Sequence, residues 1–203
     1  DPFTRRAQEQ FRERFETDCD VYFVFNGTAS NALALAACCR SPHTRILCHE
    51  VSHVDTDECG APEFFSGGAK VTPLPGPGAK LRPAEVKAAL GRGHGVHYPR
   101  PGALSLTQAT EWGTIYQPAE IHALASLAHD HGLAVHLDGA RFANAVAALS
   151  NCSPAALTWR AGVDVLSFGG TKNGMLSTEA VVFFNHDLAR EFLLGRHALQ
   201  FRL

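Results

Sequence analysis

The sequence predicts an α/β fold in which a mostly parallel sheet is flanked by helices. Short apolar runs alternate with segments of helical periodicity along the whole chain. Three of the helical segments begin with a proline, and glycines follow the ends of two of them, as is usual at helix boundaries. Alternation of this kind is typical of βαβ units, whose strands run parallel. At 203 residues the chain is long enough for one such domain.

Each element is predicted from its own pattern. Apolar runs predict strands at residues 21–25, 46–48, 71–74, 134–137, 163–168 and 180–184. Helical spacing predicts helices at residues 4–15, 29–39, 83–90, 118–130, 141–149, 154–160 and 187–199. Stretches rich in Gly and Pro predict loops at residues 73–78 and 91–102. The elements therefore form one series without an internal linker or repeat.

Composition narrows the classes of function. The 18 basic residues nearly balance the 20 acidic ones, which gives no electrostatic reason to expect nucleic acid or an anionic membrane as a partner. No apolar stretch approaches the length of a membrane span, and no signal-peptide pattern is present, so we expect a soluble, cytoplasmic protein. Six cysteines without a CxxC pair are expected to be free thiols.

Both ends of the sequence indicate an incomplete domain. The chain lacks an initiator Met and enters a helical pattern almost at once. Its last helical segment reaches Leu203 without a stop signal. We therefore expect residues 1–203 to form one large domain that is truncated at both ends.

A lysine and an aspartate follow two of the predicted strands. Asp138 directly follows the run at 134–137, and Lys172 lies in a glycine-rich turn after residues 163–168. In an open α/β sheet, ligands bind outside the carboxyl ends of the strands. An amine and a carboxylate placed there together suit pyridoxal 5′-phosphate, with Lys172 forming the Schiff base and Asp138 facing the pyridinium nitrogen. Taken singly, Asp138 is better explained as a helix cap, and Lys172 as a structural lysine in a loop.

A turn near the N-terminus suits the phosphate of such a cofactor. Gly27, Thr28 and Asn31 follow the first predicted strand and open a helix. The exposed N–H groups and the positive dipole end of a helix bind anions, and a glycine permits close approach of the backbone. The alternative interpretation is that these polar residues only cap the helix.

Two further side chains are candidates for the substrate side. Arg141 lies three residues after Asp138 and is suited to bind a substrate carboxylate, unless it is an ordinary surface residue. His53 can stack on a planar ring and transfer a proton, unless it is a partly buried histidine paired with Asp57 or Glu58.

One motif favours a different chemistry. The run His49-Glu50-Val51-Ser52-His53 matches H-E-x-x-H, which binds zinc in metallopeptidases when both histidines lie on one helix. Here the motif follows a strand-like run, and no third ligand is placed by spacing. A zinc hydrolase that uses His49 and His53 stays the remote alternative, and the main interpretation expects no metal.

Five segments together resemble the low-specificity L-threonine aldolases, which are β-eliminating lyases of the fold-type I group of pyridoxal phosphate enzymes. They occur in the order found in that family, and the resemblance as a whole extends over nearly the whole chain. The segments are residues 26–31, 52–61, 108–116, 136–141 and 167–174. The resemblance implies a fold-type I large domain, with the small C-terminal domain of the family missing from this chain.

The resemblance also implies a role for each candidate. The catalytic residues would be Lys172, His53 and Asp138, and the cofactor would contact Gly27, Thr28, Asn31, His53, Asp138, Arg141 and Lys172. The substrate would contact Arg141 and Glu111, although another branch of the family has a histidine near the position of Glu111.

The implied reaction is aldol cleavage of threonine or allo-threonine to glycine and acetaldehyde. A phenylserine aldolase, an amino-acid racemase and a β-eliminating lyase would keep the same cofactor residues and stay open as alternatives. Enzymes of this family build their sites at subunit interfaces, so a homodimer or homotetramer with shared active sites is expected.

Overall fold

The structure is a computed structural model that describes residues 1–93 and 95–200. Its centre is a seven-stranded sheet with the order β1-β7-β6-β5-β4-β2-β3. The strands are β1 (Asp20–Val24), β2 (Thr44–His49), β3 (Lys70–Leu74), β4 (Arg100–Thr107), β5 (Ala134–Gly139), β6 (Val165–Gly169) and β7 (Glu179–Phe183). β7 runs antiparallel to both of its neighbours, and all other adjacent pairs are parallel. The predicted mostly parallel α/β fold is therefore confirmed.

Eight α-helices surround the sheet in the described part of the chain. They are α1 (Pro2–Phe15), α2 (Gly27–Cys38), α3 (His53–Thr56), α4 (Ala61–Phe65), α5 (Pro83–Leu90), α6 (Pro118–Asp130), α7 (Phe142–Ala148) and α8 (His186–Gln200). Within the residues described, no helix is both long and apolar enough to cross a membrane. The six cysteines are free thiols, as predicted.

Both faces of the sheet are buried. Along β2, Leu47 belongs to the apolar cluster that includes residues of α1, α6 and α7, whereas Ile46 and Cys48 belong to the cluster on the side of α2 and α8. Successive side chains of a strand point to opposite faces, so a strand covered on both sides is apolar throughout. The same alternation directs Leu137 to the first cluster and places the side chain of Asp138 against α2.

One strand, β4, was not predicted, and it begins where a loop was expected. β4 begins at Arg100, inside the predicted loop 91–102, and its first residues include Pro101 and Gly102. The pairing of β4 with β2 shifts register here, since Pro101 lies opposite Arg45 while Ala103 lies opposite Ile46. Gly102 is the extra residue of this irregularity, which tolerates a proline that an ordinary central strand would exclude.

One predicted helix is wrong. Residues 154–160 form turns that end in a short 3₁₀ segment, Trp159–Ala161. Thr158 adopts φ −130° and ψ −110°, which is not helical. The indole Nε1 of Trp159 donates a hydrogen bond to the carbonyl oxygen of Phe15 at 2.7 Å. This contact with the end of α1 competes with helix formation in a segment of only two turns.

Candidate active site

A cavity of about 240 Å³ lies at the carboxyl ends of β1, β5 and β6, beside the N-terminus of α2. Seven of the eight predicted site residues line it. These are Gly27, Thr28, Asn31, His53, Asp138, Arg141 and Lys172. The eighth, Glu111, is not among the lining residues. Residues that are far apart in sequence therefore meet where an open α/β sheet usually binds its ligand.

Asp138 is a buried carboxylate without a cationic partner in the described part of the chain. It is 2% exposed, near the end of β5. Its Oδ1 accepts a hydrogen bond from the backbone N–H of Ala140 at 3.0 Å, and its Oδ2 accepts one from Asn31 Nδ2 at 2.9 Å. A buried carboxylate is costly unless it is hydrogen-bonded and paired with a positive charge. The site is therefore suited to a ligand that brings a cationic N–H group.

Lys172 lies in a short 3₁₀ turn, Thr171–Asn173, directly after β6. Its side chain lines the cavity, and its amine forms no hydrogen bond or ion pair with the residues that the structure describes. The turn itself is well held, since Asn173 Nδ2 donates to the carbonyl of Gly169 at 2.5 Å and the backbone N–H of Gly170 donates to Glu179 Oε2 at 2.8 Å. The structure thus fixes the backbone around Lys172 and leaves its amine free.

The glycines before Lys172 permit a very close approach of backbone segments. A Cβ atom on Gly169 would lie 2.4 Å from the carbonyl oxygen of Ala140, next to Asp138. One on Gly170 would lie 2.2 Å from the carbonyl oxygen of Thr178. Real Cβ atoms do not approach backbone so closely, so glycine is required at both positions. This packing brings the turn that carries Lys172 against the end of β5.

The N-terminus of α2 forms another wall of the cavity. The helix begins at Gly27, two residues before the predicted start, and Asn26 caps it by accepting a hydrogen bond from the N–H of Ala29 at 2.7 Å. A Cβ on Gly27 would meet no atom within 4 Å, so the space above this residue is open. Gly27 and Thr28 therefore present backbone N–H groups and a positive dipole end to the cavity, as an anion site requires.

Asn31 lies one turn further along α2. The sequence predicts that it contacts the phosphate, but its side chain contacts two carboxylates. Its amide nitrogen donates to Asp138 Oδ2 at 2.9 Å and to Glu58 Oε1 at 2.9 Å. Both amide hydrogens are thus used by carboxylates. The side chain lies on the Asp138 side of the cavity, so it differs in placement from Gly27 and Thr28.

His53 is the first residue of α3 and forms a close contact with Glu58. Nδ1 lies 2.8 Å from Glu58 Oε1. This hydrogen bond is the main cause of a raised pKa of His53. Partial burial lowers the pKa, whereas the negative charges of Glu58 and Asp138 raise it further. Glu58 also lines the cavity, whereas the sequence indicated it only as an alternative to Asp57 in the structural explanation of His53. Its position five residues after His53 was the available signal.

Glu111 and Arg141 complete the predicted set. Glu111 Oε1 accepts a hydrogen bond from the backbone N–H of His53 at 3.1 Å, so Glu111 anchors the start of α3 beside the cavity. Arg141 precedes α7 and lines the cavity. Its guanidinium has no hydrogen-bonding or ionic partner among the residues described.

The geometry does not fit the zinc hypothesis. His49 ends β2, whereas His53 begins α3, so the two histidines do not share one helix face. His49 Nε2 lies 2.8 Å from the carbonyl oxygen of Gly76, and His53 is engaged by Glu58. Over the described residues, no group of three or more His, Cys, Asp or Glu side chains is arranged to hold a metal ion. The H-E-x-x-H interpretation is therefore wrong.

Comparison with known proteins finds a family model and two relatives that indicate one family of enzymes. Residues 1–202 match the family model for β-eliminating lyases. The chain is 55% identical over 192 residues to a low specificity L-threonine aldolase of Pseudomonas aeruginosa, and 52% identical over 192 residues to one of a Pseudomonas species. Each match covers 95% of this chain and 55% of the relative, so the chain spans about half the length of these proteins.

A solved structure shows the same fold. The threonine aldolase of Leishmania major superposes with a TM-score of 0.85 at 30% sequence identity, over 95% of this chain and 56% of that one. The match over nearly all of the chain confirms the resemblance predicted from the five sequence segments. The chain belongs to the β-eliminating lyase family.

Proposed function

We propose that this chain is the pyridoxal phosphate-binding large domain of an enzyme that cleaves β-hydroxy-α-amino acids. Threonine and allo-threonine would yield glycine and acetaldehyde. The observation that carries this proposal is the pairing of two groups in one cavity, the free amine of Lys172 and the buried carboxylate of Asp138, which lacks a cationic partner among the described residues. The names of the Pseudomonas and Leishmania relatives favour threonine as the substrate.

The cavity fits pyridoxal phosphate from three sides. Asp138 would pair with the pyridinium N–H and supply the counter-charge that its burial requires. Lys172 would hold the cofactor covalently through its amine. Gly27 and Thr28 would donate backbone N–H groups to the phosphate at the start of α2. When bound, the cofactor supplies an electron sink for the pair released as the Cα–Cβ bond breaks.

The remaining residues would act on the substrate. Arg141 would bind the substrate carboxylate and thereby set which Cα bond is broken, since its guanidinium is free among the residues described. His53 would stack on the cofactor ring, and its Nε2 would accept the proton of the β-hydroxyl group. Glu111 would support this role by anchoring the backbone of His53, with its second oxygen left for a substrate contact.

Assembly and location are part of the proposal. We propose a cytoplasmic homodimer or homotetramer with shared active sites. Large apolar side chains at and near the cavity mouth support it, since Phe25 is 71% exposed and Leu176 is 93% exposed. Exposed apolar side chains grouped around a functional site commonly mark a protein interface.

The test is covalent labelling followed by kinetics. Borohydride reduction of the protein loaded with pyridoxal phosphate is expected to fix a pyridoxyl group on Lys172, as identified by mass spectrometry of peptides. Lys172→Ala should abolish this label and lower the rate of threonine cleavage by about 10²-fold or more. Lys70→Ala, which removes an exposed lysine at the start of β3, is the matched control and should behave as wild type.

Two results would contradict the proposal. One is a label that lands elsewhere or persists in Lys172→Ala. The other is a cofactor-loaded protein that releases no glycine from threonine, allo-threonine or phenylserine. Chiral and product analysis of the same reactions separates aldol cleavage from racemisation and β-elimination, which would leave a racemised amino acid or a keto acid in place of glycine.

A further inference from the structure

Glu58 is a buried carboxylate at the centre of the candidate site. It is 3% exposed, and its Oε1 receives two hydrogen-bond contacts, one with His53 Nδ1 at 2.8 Å and one with Asn31 Nδ2 at 2.9 Å. Asn31 Nδ2 also contacts Asp138. A single continuous network therefore joins the imidazole to the carboxylate that is proposed to face the cofactor nitrogen.

The second oxygen of Glu58 indicates more than a structural role. Glu58 Oε2 is buried and has no hydrogen-bond partner among the described residues. Most buried polar atoms in proteins are paired, and a buried charge that is only half paired destabilises the fold. A glutamine oxygen would accept the same two hydrogen bonds, so what the carboxylate adds is a buried negative charge beside the imidazole of His53.

We propose that Glu58 is a positioning residue that holds the proton of His53 on Nδ1 and so presents Nε2 to the cavity as the proton acceptor. An imidazole nitrogen beside a carboxylate carries the hydrogen, which leaves the lone pair of the neutral ring on the other nitrogen. The inference rests on the proposed function only for the identity of the proton that Nε2 accepts. The tautomer itself follows from the contact at 2.8 Å.

Several other charged groups surround His53, and Glu58 dominates them. Asp57 Oδ2 lies 3.4 Å from Nε2, but its side chain is 80% exposed, so solvent screens its charge. Glu58 is shielded from solvent and acts at shorter range. The charged groups that face His53 are Asp57, Glu58, Glu111, Asp138 and Lys172. Lys172 lowers the pKa of His53, and Asp138 raises it, but each does so less than the hydrogen bond with Glu58.

The first measurement does not require the cofactor. Nitrogen-15 NMR of the imidazole, assigned with a His53→Asn sample, is expected to show the Nδ1–H tautomer for neutral His53 in the wild-type protein. Glu58→Gln should lower the pKa of His53, because an uncharged amide no longer stabilises the imidazolium. Asp57→Asn, the matched control one residue away, should change the pKa much less.

The second measurement uses the loaded enzyme and threonine. Glu58→Gln is expected to lower kcat by about tenfold or more, with little change in KM, and to move the acidic limb of the pH–rate profile to lower pH. Asp57→Asn should keep the wild-type profile. An Nε2–H tautomer in wild type, or an unchanged pKa of His53 in Glu58→Gln, would overturn the inference. The wild-type tautomer decides the matter even if the variant does not fold, and absence of cleavage by wild type would refute only the proposed function.

Discussion

At the scale of the residue, the sheet beneath the cavity contains a fully buried histidine. His136 lies two residues before Asp138 in β5 and is fully buried. Its Nδ1 lies 2.9 Å from Ser105 Oγ, and its Nε2 lies 2.9 Å from Ser167 Oγ, so one ring links β4, β5 and β6. Burial lowers the pKa of His136 to about 4, although the negative charges of Asp138 and Glu58 oppose the shift.

This histidine predicts an acid-sensitive fold. Between the unfolded pKa of 6.5 and the folded value of about 4, the unfolded chain binds a proton that the folded protein excludes. The free energy of unfolding therefore falls as the pH falls through this window, by about 3 kcal/mol from His136 alone. Urea unfolding at pH 7 and pH 4 measures the loss.

His136→Gln is the control for this prediction. Gln keeps hydrogen bonding to the two serines but does not titrate, so the variant should lose less stability between pH 7 and pH 4 than wild type. An equal loss in both proteins would show that other groups, chiefly carboxylates, account for the acid sensitivity.

Some residues of the site can be identified from the sequence, and others cannot. Lys172 and Asp138 could be assigned because each directly follows an apolar run, and strand ends of a parallel sheet converge. Glu179 could not, and Glu58 could be named only as one of two possible partners of His53, since neither glutamate lies at the carboxyl end of a strand. Glu58 is brought to the site by the short segment around α3, and Glu179 by the reversed direction of β7, so their roles depend on tertiary structure.

At the scale of the element, close approach of strand ends shapes the cavity. Gly169→Ala would place a methyl group 2.4 Å from the carbonyl oxygen of Ala140. We expect the variant to lose about 1–3 kcal/mol of stability, since backbone must move, and to bind pyridoxal phosphate more weakly because Asp138 lies next to the displaced segment. Urea unfolding and cofactor titration measure the two effects.

Gly27→Ala is the matched control at the start of α2. Its methyl group would meet no protein atom within 4 Å, so stability should stay within about 0.5 kcal/mol of wild type. Cofactor affinity should nevertheless fall, because the methyl group occupies space proposed for the phosphate. Equal destabilisation by both substitutions would contradict the packing argument, and unchanged affinity in Gly27→Ala would place the phosphate elsewhere.

Elements with strong local signals were predicted well, and those defined by tertiary contacts were not. α6 matches the predicted helix 118–130, since Pro118 opens it and a capping box of Gln117 and Glu120 fixes its start. β4 was missed entirely, since no strand was predicted over residues 100–107, and its Pro and Gly are tolerated only at the register shift beside β2. α3 and α4 are too short to show helical periodicity.

At the scale of the whole molecule, the cavity opens beside exposed apolar side chains. Their position argues that copies of this chain associate at the carboxyl ends of the strands. Leu176 lies in the turn between β6 and β7 and is 93% exposed. We expect Leu176→Asp to weaken self-association by about tenfold or more, because it places a charge in the proposed interface. Sedimentation velocity across a concentration series measures the change.

Val96→Asp is the control for surface charge. Val96 is 94% exposed and lies just before β4 begins, at the other end of that strand from the cavity. The Val96→Asp variant should self-associate as strongly as the wild-type protein does. A wild-type protein that sediments as a monomer at all concentrations would refute the proposed assembly, and equal dissociation by both variants would move the interface away from the cavity.

The position of β1 has a consequence for how this protein is made. β1 is an edge strand whose neighbour in the described sheet is β7, and the register joins Asp20 to Phe183. Because β1 precedes β7 by more than 150 residues in the sequence, β1 leaves the ribosome long before its partner strand exists. During synthesis β1 is an unpaired strand, while β2 to β6 can already assemble. The cavity wall formed by α2 should therefore be completed late, so a chaperone that shields β1 during synthesis would raise the yield of native protein.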